Sequence, residues 1–173
     1  NAARFGLNNA RLVEAQWTLL SEVFPGERFD AIVCLGNAFT HLFDDGERRK
    51  ALGEIYGLLK DGGVAIIDHR NYDTMLDKGF SSKHQAYYLG ETVDVHPESV
   101  SEETVRLRYS YSDGSVHHLT VCPIRQDHLT GMLCETGFQI VDRYGDFKAD
   151  YDLYDPDFII QRSEEHTSEL QSR

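Results

Sequence analysis

The central part of the chain combines apolar runs with one amphipathic segment. The run from Phe29 to Leu35 is nearly all apolar, which is typical of a strand buried on both faces of a parallel sheet. From Glu47 to Lys60, apolar residues recur at spacings of three and four, which predicts a helix that Asp61-Gly62-Gly63 ends. A second buried strand follows over Val64–Ile67, so the order predicts a right-handed βαβ unit. Three basic residues of the helix are expected to face water: Arg48, Arg49 and Lys50.

After Arg70 the pattern changes to an alternation of polar and apolar residues that is rich in Tyr, Val and Thr. Such alternation predicts antiparallel strands, and we expect an antiparallel insertion over about residues 80–125. Asp113-Gly114 has the composition of a hairpin turn between the last two of these strands. The strand candidates are Gln85–Val95, Thr104–Ser112 and Val116–Ile124.

The remaining elements complete an α/β pattern. Arg11–Ala15 is a short strand candidate near the start of the chain. Asp127–Thr136 returns to helical spacing, and Gly137 ends that helix. The last two strand candidates, Phe138–Tyr144 and Phe158–Ile160, are expected to pair as a hairpin at the edge of the sheet.

The charge of the chain excludes some classes of partner. The 29 Asp and Glu residues outnumber the 17 Lys and Arg residues, which gives a net charge of −12 over 173 residues. Such acidity disfavours binding to nucleic acid and to anionic membrane surfaces, and no apolar run approaches the roughly 18 residues that span a bilayer. The three cysteines, Cys34, Cys122 and Cys134, form no C-x-x-C motif, so we expect them to be reduced and the protein to be cytoplasmic.

Candidate site residues follow the predicted strands. In open α/β sheets, ligands bind beyond the carboxyl ends of the parallel strands. Those places in this chain are Gln16-Trp17, Leu35–Leu42 and Asp68–Asp73, and all three contain polar groups. We therefore expect these segments to converge on one edge of the sheet.

The same segments resemble a known family. FDAIVCLGNAFTHLF, KDGG, IDHRNYD, the pair Tyr87-Tyr88, YGDFK and DPDF are similar to the glycine N-methyltransferases, in particular the bacterial glycine/sarcosine N-methyltransferases. The resemblance covers residues 1–161. It implies a class I, Rossmann-like methyltransferase domain that uses S-adenosylmethionine, with an antiparallel β insertion that covers an amino-acid substrate.

The resemblance also implies which residues bind the methyl donor. Gln16 and Trp17 match the segment that borders the adenine, although Trp17 could instead be a core residue. Leu35 and Gly36 match the turn beside the methionine portion, where glycine permits a close approach. His41 matches a residue of the same pocket, and its alternative is a helix-capping or core role.

Four further residues are implied to bind the substrate. Asn37 and Arg70 match the residues that hold the glycine carboxylate, and a planar guanidinium is well suited to a carboxylate. An arginine at this place could alternatively form a surface ion pair. Tyr88 and Tyr109 match positions that enclose the substrate, although Tyr109 could be a cross-strand aromatic residue, and Tyr111 competes for the same role.

The implied reaction is an in-line displacement of the sulfonium methyl group by the amine of glycine and then of sarcosine. The sulfonium is a good leaving group, so proximity and alignment suffice, and the resemblance requires no strong general base. No residue is therefore assigned a catalytic role. We expect no metal site, because the adjacent residues His117 and His118 would point to opposite faces of a strand.

The ends of the chain lead to expectations about its extent. The resemblance places a Gly-rich loop and a ribose-binding acidic residue before Asn1, so residues 1–161 are expected to be a partial domain that alone binds S-adenosylmethionine weakly and aggregates. Residues 162–173 resemble the in-frame translation of a sequencing-library adapter, and the alternative is a genuine disordered tail. The full-length parent could form a homo-oligomer.

Other function classes remain open at this point. A methyltransferase of another small amine or carboxylate would have the same fold with a different insertion. A non-catalytic ligand-binding protein could also use this fold, and a dinucleotide-dependent dehydrogenase would share its βαβ pattern. An acidic composition is compatible with a salt-adapted host that makes betaine-type solutes.

Overall fold

A computed structural model describes residues 3–6, 9–80 and 93–165. The helices are α1 Leu20–Val23, α2 Asp45–Gly57, α3 Tyr72–Lys78 and α4 Gln126–Thr136, with 3-10 turns at Ala3–Phe5, Trp17–Leu19 and Ala38–His41. The strands are β1 Phe29–Cys34, β2 Leu59–Arg70, β3 Val93–Val100, β4 Val105–Tyr111, β5 Val116–Val121, β6 Ile140–Gly145 and β7 Phe158–Glu164.

A four-stranded mixed sheet forms the centre of the molecule, with the strand order β1-β2-β7-β6. β1 and β2 are parallel and are joined through α2, which confirms the predicted βαβ order. The β2–β7 and β7–β6 pairs are antiparallel, so the pair expected from the last two strand candidates is confirmed at the sheet edge. The predicted α/β fold is therefore present as a partly parallel sheet.

Helix α2 is shifted toward the N-terminus relative to its prediction. It starts after Asp44, whose side chain accepts a hydrogen bond from the backbone N–H of Glu47 at 3.0 Å, as an N-cap does. It ends at Gly57, because Leu59 already pairs with Phe29 of β1. The predicted helix end at residues 61–63 is therefore wrong. These residues instead belong to an irregular part of β2, across which the register with β1 shifts.

Arg48 does not face water as predicted. Only 4% of its surface is exposed, and its Nε donates a hydrogen bond to the Leu42 carbonyl at 2.7 Å. Its Nη1 pairs with Asp45 one turn earlier at 2.5 Å. The long side chain thus ties the loop before α2 to the first turn of the helix. Arg49 and Lys50 are exposed, as predicted.

The main core lies between α2, α4 and one face of the sheet. Ala51, Leu52 and Ile55 of α2 are buried there, and so are Ala65 and Ile67 of β2. From α4 come three further buried side chains: Leu129, Met132 and Leu133. The spacing of three and four along both helices therefore marks the faces that the core buries.

The opposite flank of β1 is exposed, which corrects the expectation of a strand buried on both faces. β1 is an edge strand in the described part of the chain, and Val33 exposes 58% of its surface. The predicted strand Arg11–Ala15 is also wrong, because this segment has no regular structure and pairs with no described strand. Whether a strand has a neighbour on both sides depends on other segments, so its own apolar sequence does not decide it.

The predicted antiparallel insertion forms a separate three-stranded sheet with the order β3-β4-β5. Its apolar face packs against α3, where Tyr72 and Met75 contact a buried cluster. The other buried members of that cluster are Val93, Val95, Val105, Leu107 and Val121. Gly114 lies in the tight turn between β4 and β5, as predicted. Most of the strand candidate Gln85–Val95 lies outside the described residues.

The C-terminal elements agree with the pattern but extend further. Helix α4 spans the predicted segment and ends at Gly137, as expected. Strand β7 continues to Glu164, because Arg162 pairs with Ile66 of β2 and with Asp142 of β6. Three residues that the sequence assigned to the tail are thus part of the sheet. No helix among the described residues is long and apolar enough to cross a membrane.

Candidate functional site

The ends of β1 and β2 bring four polar residues together: Asn37, Asp68, Arg70 and Tyr72, here called the polar cluster. Asn37 adopts a left-handed conformation with φ 63° and is 7% exposed. Its backbone N–H donates to Asp68 Oδ1 at 2.8 Å, and its Oδ1 accepts from the Arg70 backbone N–H at 3.0 Å. The turn after β1 is thereby fixed to the end of β2, as expected for segments that meet at one sheet edge.

Tyr72 is a cluster member that the sequence analysis did not assign to the site. It is the first residue of α3 and is fully buried, and its hydroxyl accepts a hydrogen bond from Asn37 Nδ2 at 2.9 Å. Burial raises the pKa of Tyr72 to about 12, so the hydroxyl stays protonated at neutral pH. Its sequence signal is its place in the IDHRNYD motif, two residues after Arg70, which fits a packing role as well as a role in the site.

Arg70 is half-buried and makes no ion pair with any described residue. Its guanidinium carbon lies 5.2 Å from the ring centre of Phe158 and 5.9 Å from that of Phe80. It also lines a small cavity of about 30 Å³ together with Thr74 and Pro156. The structure therefore stacks the guanidinium on aromatic rings, and within the described chain its N–H groups lack a carboxylate partner.

Tyr109 extends from β4 toward the polar cluster. It pairs with Val95 on one side and His117 on the other, and it packs against the apolar cluster beside α3. It lies near enough to Tyr72 to add to the rise that burial causes in the pKa of Tyr72. Tyr111 lies on the same face, with its ring edge-on to His117 at 5.5 Å. The other predicted tyrosine, Tyr88, lies outside the described residues.

A second, wider depression lies beside the turn that follows β1. It has a volume of about 460 Å³ and is here called the Trp17 depression. Its lining residues are Gln16, Trp17, Thr18, Ala38, His41, Leu42 and Glu47. The structure thus brings together three of the five residues predicted to bind the methyl donor.

Trp17 packs against the core and also lines this depression. Its ring stacks on Phe39 with the ring centres 5.8 Å apart and the planes at 27°. The two alternatives considered for Trp17 are therefore compatible with each other. His41 is exposed at the end of the 3-10 turn rather than buried in the core.

Leu35 and Gly36 are not among the residues that line the Trp17 depression. Leu35 exposes 54% of its surface, and Gly36 has φ 78°. Because Asn37 is also left-handed, the chain turns sharply through two successive residues of positive φ. This turn directs Asn37 into the polar cluster and leaves Leu35 at the surface.

His69 lies directly beneath the polar cluster and is fully buried. Its Nδ1 donates to the Arg70 carbonyl at 2.8 Å, and its ring lies parallel to Tyr72 with the ring centres 6.3 Å apart. Its Nε2 has no hydrogen-bond partner in the described structure. Burial lowers the pKa of His69, so the neutral imidazole is the favoured form.

An ion-pair network braces the same region from outside. Arg125 precedes α4 and pairs with Asp77 at 3.0 Å and Asp73 at 3.3 Å, both on α3. It also pairs with Glu102, between β3 and β4, at 2.6 Å. Hydrogen bonds to Glu102 and Asp77 raise the pKa of Arg125. One side chain therefore joins α3, α4 and the three-stranded sheet.

Metal ligation is not indicated by the side chains that the structure describes. Among those residues, no three His, Cys, Asp or Glu side chains lie together as metal ligands would. His118 contacts Glu98 at 3.1 Å, while the His117 ring contacts Tyr111. The two adjacent histidines thus have different neighbours.

Solved structures of methyltransferases resemble this chain. An S-adenosylmethionine-dependent methyltransferase from Clostridium acetobutylicum matches with a TM-score of 0.73 and 16% identity, over 95% of this chain and 68% of that one. This chain has the class I methyltransferase fold. The amino pentose methyltransferase CalS10 from Micromonospora echinaspora also matches, with a TM-score of 0.58 and 15% identity over 93% of this chain and 67% of that one.

Sequence comparison confirms the resemblance on which the methyltransferase interpretation rests. The chain is 47% identical over 159 residues to the glycine/sarcosine N-methyltransferase of Halorhodospira halochloris, which is 92% of this chain and 59% of that protein. It is 48% identical over 150 residues to that of Aphanothece halophytica, which is 87% of this chain and 56% of that protein. The chain thus spans less than two thirds of the length of these two relatives. No protein-family model matches it.

Proposed function

We propose that this chain takes part in transferring a methyl group from S-adenosylmethionine to the amine of glycine and of sarcosine. The observation that carries the proposal is the half-buried Arg70 guanidinium, which has no carboxylate partner among the described residues of a strongly acidic chain. A guanidinium held at a strand end is well suited to bind the carboxylate of a small amino acid. The names of the relatives with 47% and 48% identity support the same substrate class.

Asn37 and Tyr109 are proposed to complete the substrate site with Arg70. Asn37 has an amide N–H to donate and is bonded to the Arg70 backbone, and Tyr109 provides an aromatic wall from the insertion. We also propose that Tyr88 belongs to this site. These side chains would hold the amino acid by its carboxylate and leave its amine free to attack the methyl group.

The Trp17 depression is proposed to hold the methyl donor. An indole face and the polar edge of Gln16 suit an aromatic base, and the 460 Å³ volume is in the range of small-molecule pockets. Leu35, Gly36 and His41 are proposed to contact the rest of the donor near the turn after β1. S-adenosylmethionine supplies the electrophilic methyl group, so the chain needs to align the two substrates rather than supply a base.

The cellular setting follows from the same chemistry. Successive methylation of glycine yields sarcosine and then more highly methylated, betaine-type solutes, so we propose that the protein acts in the formation of such solutes. A cytoplasmic location and a homo-oligomeric full-length parent belong to this proposal. Three unpaired cysteines support a reducing compartment.

The test is a methyl-transfer assay with radiolabelled S-adenosylmethionine. It uses the longest polypeptide that the reading frame of this chain encodes, with the 173-residue chain assayed in parallel. Labelled sarcosine from glycine, and labelled dimethylglycine from sarcosine, are the expected products. Methyl transfer only to other small amines would show that glycine and sarcosine are not the substrates. Donor binding without transfer to any amine would indicate a non-catalytic protein.

A further inference from the structure

We propose that Tyr72 is a positioning residue that holds the Asn37 carboxamide in place, so that one amide N–H points to the substrate carboxylate beside Arg70. This inference rests on the proposed function, since it assumes that a carboxylate binds at Arg70. Tyr72 itself is buried behind Asn37 and need not touch the substrate.

The hydrogen bonds determine which way the amide faces. The Arg70 backbone N–H can only donate, so the amide atom 3.0 Å from it must be the oxygen of Asn37. The Tyr72 hydroxyl lies 2.9 Å from the amide nitrogen, from which it accepts, and 3.1 Å from the amide oxygen, to which its own O–H donates. That nitrogen has two N–H groups, and Tyr72 accepts only one of them. The second remains for a ligand.

The Arg70 N–H fixes which amide atom is the oxygen, and the Tyr72 hydroxyl is well placed to hold the plane of the amide, since it contacts both of its polar atoms. The phenol ring is fully buried and lies parallel to His69, and the chain at Tyr72 is held by the start of α3. The backbone of Asn37 is held separately by Asp68. With both ends fixed, the amide can rotate only by breaking hydrogen bonds inside the protein.

Arg70 is joined to the same amide through its backbone. The Arg70 N–H donates to Asn37 Oδ1 at 3.0 Å, and the positive charge of the Arg70 side chain opposes, in part, the rise that burial causes in the pKa of Tyr72. The Arg70 side chain therefore leaves the main chain beside the Asn37 amide. A carboxylate bound to the guanidinium would find the second amide N–H within the same small region.

The test is Tyr72→Phe in the longest polypeptide that the reading frame encodes. We expect the KM for glycine to rise on the order of tenfold, as for the loss of one hydrogen bond, while kcat stays within about twofold and the affinity for S-adenosylmethionine is unchanged. Tyr56→Phe is the matched control, because the Tyr56 ring packs on Phe138 and its hydroxyl bonds to no described residue. It should leave all three values unchanged.

A double-mutant cycle separates positioning from general destabilisation. Asn37→Gly removes the amide without strain, because Asn37 already has a positive φ, and it should raise the glycine KM. Adding Tyr72→Phe to Asn37→Gly should then raise it no further. Additive effects, or an unchanged glycine KM in Tyr72→Phe, would overturn the inference.

Two other outcomes are also decisive. If Tyr72→Phe does not fold, the test rests on Asn37→Gly. An unchanged glycine KM in that variant would show that the amide does not bind the substrate carboxylate and would overturn the inference. If the unsubstituted protein fails to methylate glycine at all, the proposed function fails before the role of Tyr72 is tested. The two failures are therefore distinguishable.

Discussion

The polar cluster follows the carboxyl ends of both β1 and β2, whereas the Trp17 depression lies beside the turn after β1, and the two are built differently. In the polar cluster, Asn37 forms hydrogen bonds with Asp68, Arg70 and Tyr72, and most of these residues are buried. In the Trp17 depression, the Gln16 side chain and His41 make no hydrogen bond with any described residue. The polar cluster is small and held by hydrogen bonds, and the Trp17 depression is open and wide.

This difference teaches that hydrogen bonds between elements fix one region and leave the other open. The polar cluster joins the ends of β1 and β2 to the start of α3, and Phe158 of β7 stacks on its Arg70. The Trp17 depression is lined by residues around Gln16 and by the turn that follows β1, without Leu35 or Gly36. We therefore expect substitutions in the two regions to affect different substrates.

Arg70→Lys is expected to have the largest effect. The lysine keeps the charge but loses the planar fork, so the KM for glycine should rise about 100-fold with no change in donor affinity. Steady-state kinetics with each substrate varied in turn measures both values. Arg49→Lys is the control, because Arg49 makes an exposed ion pair with Glu135 away from the polar cluster. A fall in donor affinity as large as the rise in glycine KM would remove the distinction between the two regions.

Trp17→Leu should have a smaller effect than Arg70→Lys, and it should act on the affinity for S-adenosylmethionine rather than on the KM for glycine. It keeps apolar contact with Phe39 but removes the aromatic face, so the affinity for S-adenosylmethionine should fall on the order of tenfold. The glycine KM at saturating donor should not change. Donor binding by calorimetry measures the effect, and Trp17→Phe should restore most of the affinity. Equal donor affinity in the leucine variant would show that the donor does not stack here.

The smallest predicted effect is on stability: His69 should make the free energy of unfolding depend on pH. Its pKa is lowered in the folded protein from the usual 6.5, because burial disfavours the charged form. Below about pH 6.5 the unfolded chain binds a proton that the folded chain does not. The free energy of unfolding should therefore fall with acidification by up to about 1.4 kcal/mol per pH unit, until the pH reaches the folded pKa.

Denaturant unfolding of His69→Phe between pH 5 and about pH 7 checks this linkage. The phenyl ring keeps the contact with Tyr72 and cannot be protonated, so the pH dependence should become flatter. The same substitution at the exposed His117 is the control and should leave the slope unchanged. An identical slope in the His69 variant would mean that this residue does not contribute.

Sequence patterns predicted the elements well where local chemistry decides. The helix after Arg125, the turn at Gly114 and the βαβ order were all evident from spacing and turn residues. The predicted end of α2 was wrong because Leu59 continues the helical spacing but pairs with Phe29 of β1 in the structure. Arg48 was assigned to water because its burial depends on a loop carbonyl that lies six residues earlier.

The candidate site divides in the same way. Asn37, Arg70 and Trp17 could be named from the sequence because they belong to motifs that resemble a known family. Tyr72 lies in one of these motifs, but its role could not be read there, and neither could that of Arg125. Both roles depend on hydrogen bonds to residues 35 and 52 positions away, namely Asn37 and Asp73. Tyr88 stays a prediction, as do the roles of the other site residues.

The sequence by itself determined the order of the elements, the acidic surface and the identity of the groups that could bind a carboxylate. Periodicity, turn chemistry and charge are local properties, so they can be read without a partner segment. Only the tertiary structure decided that Asn37 and Tyr72 share hydrogen bonds, that His69 is buried and that β1 has an open edge. These facts depend on contacts between distant segments, and in this chain such contacts orient the proposed substrate site.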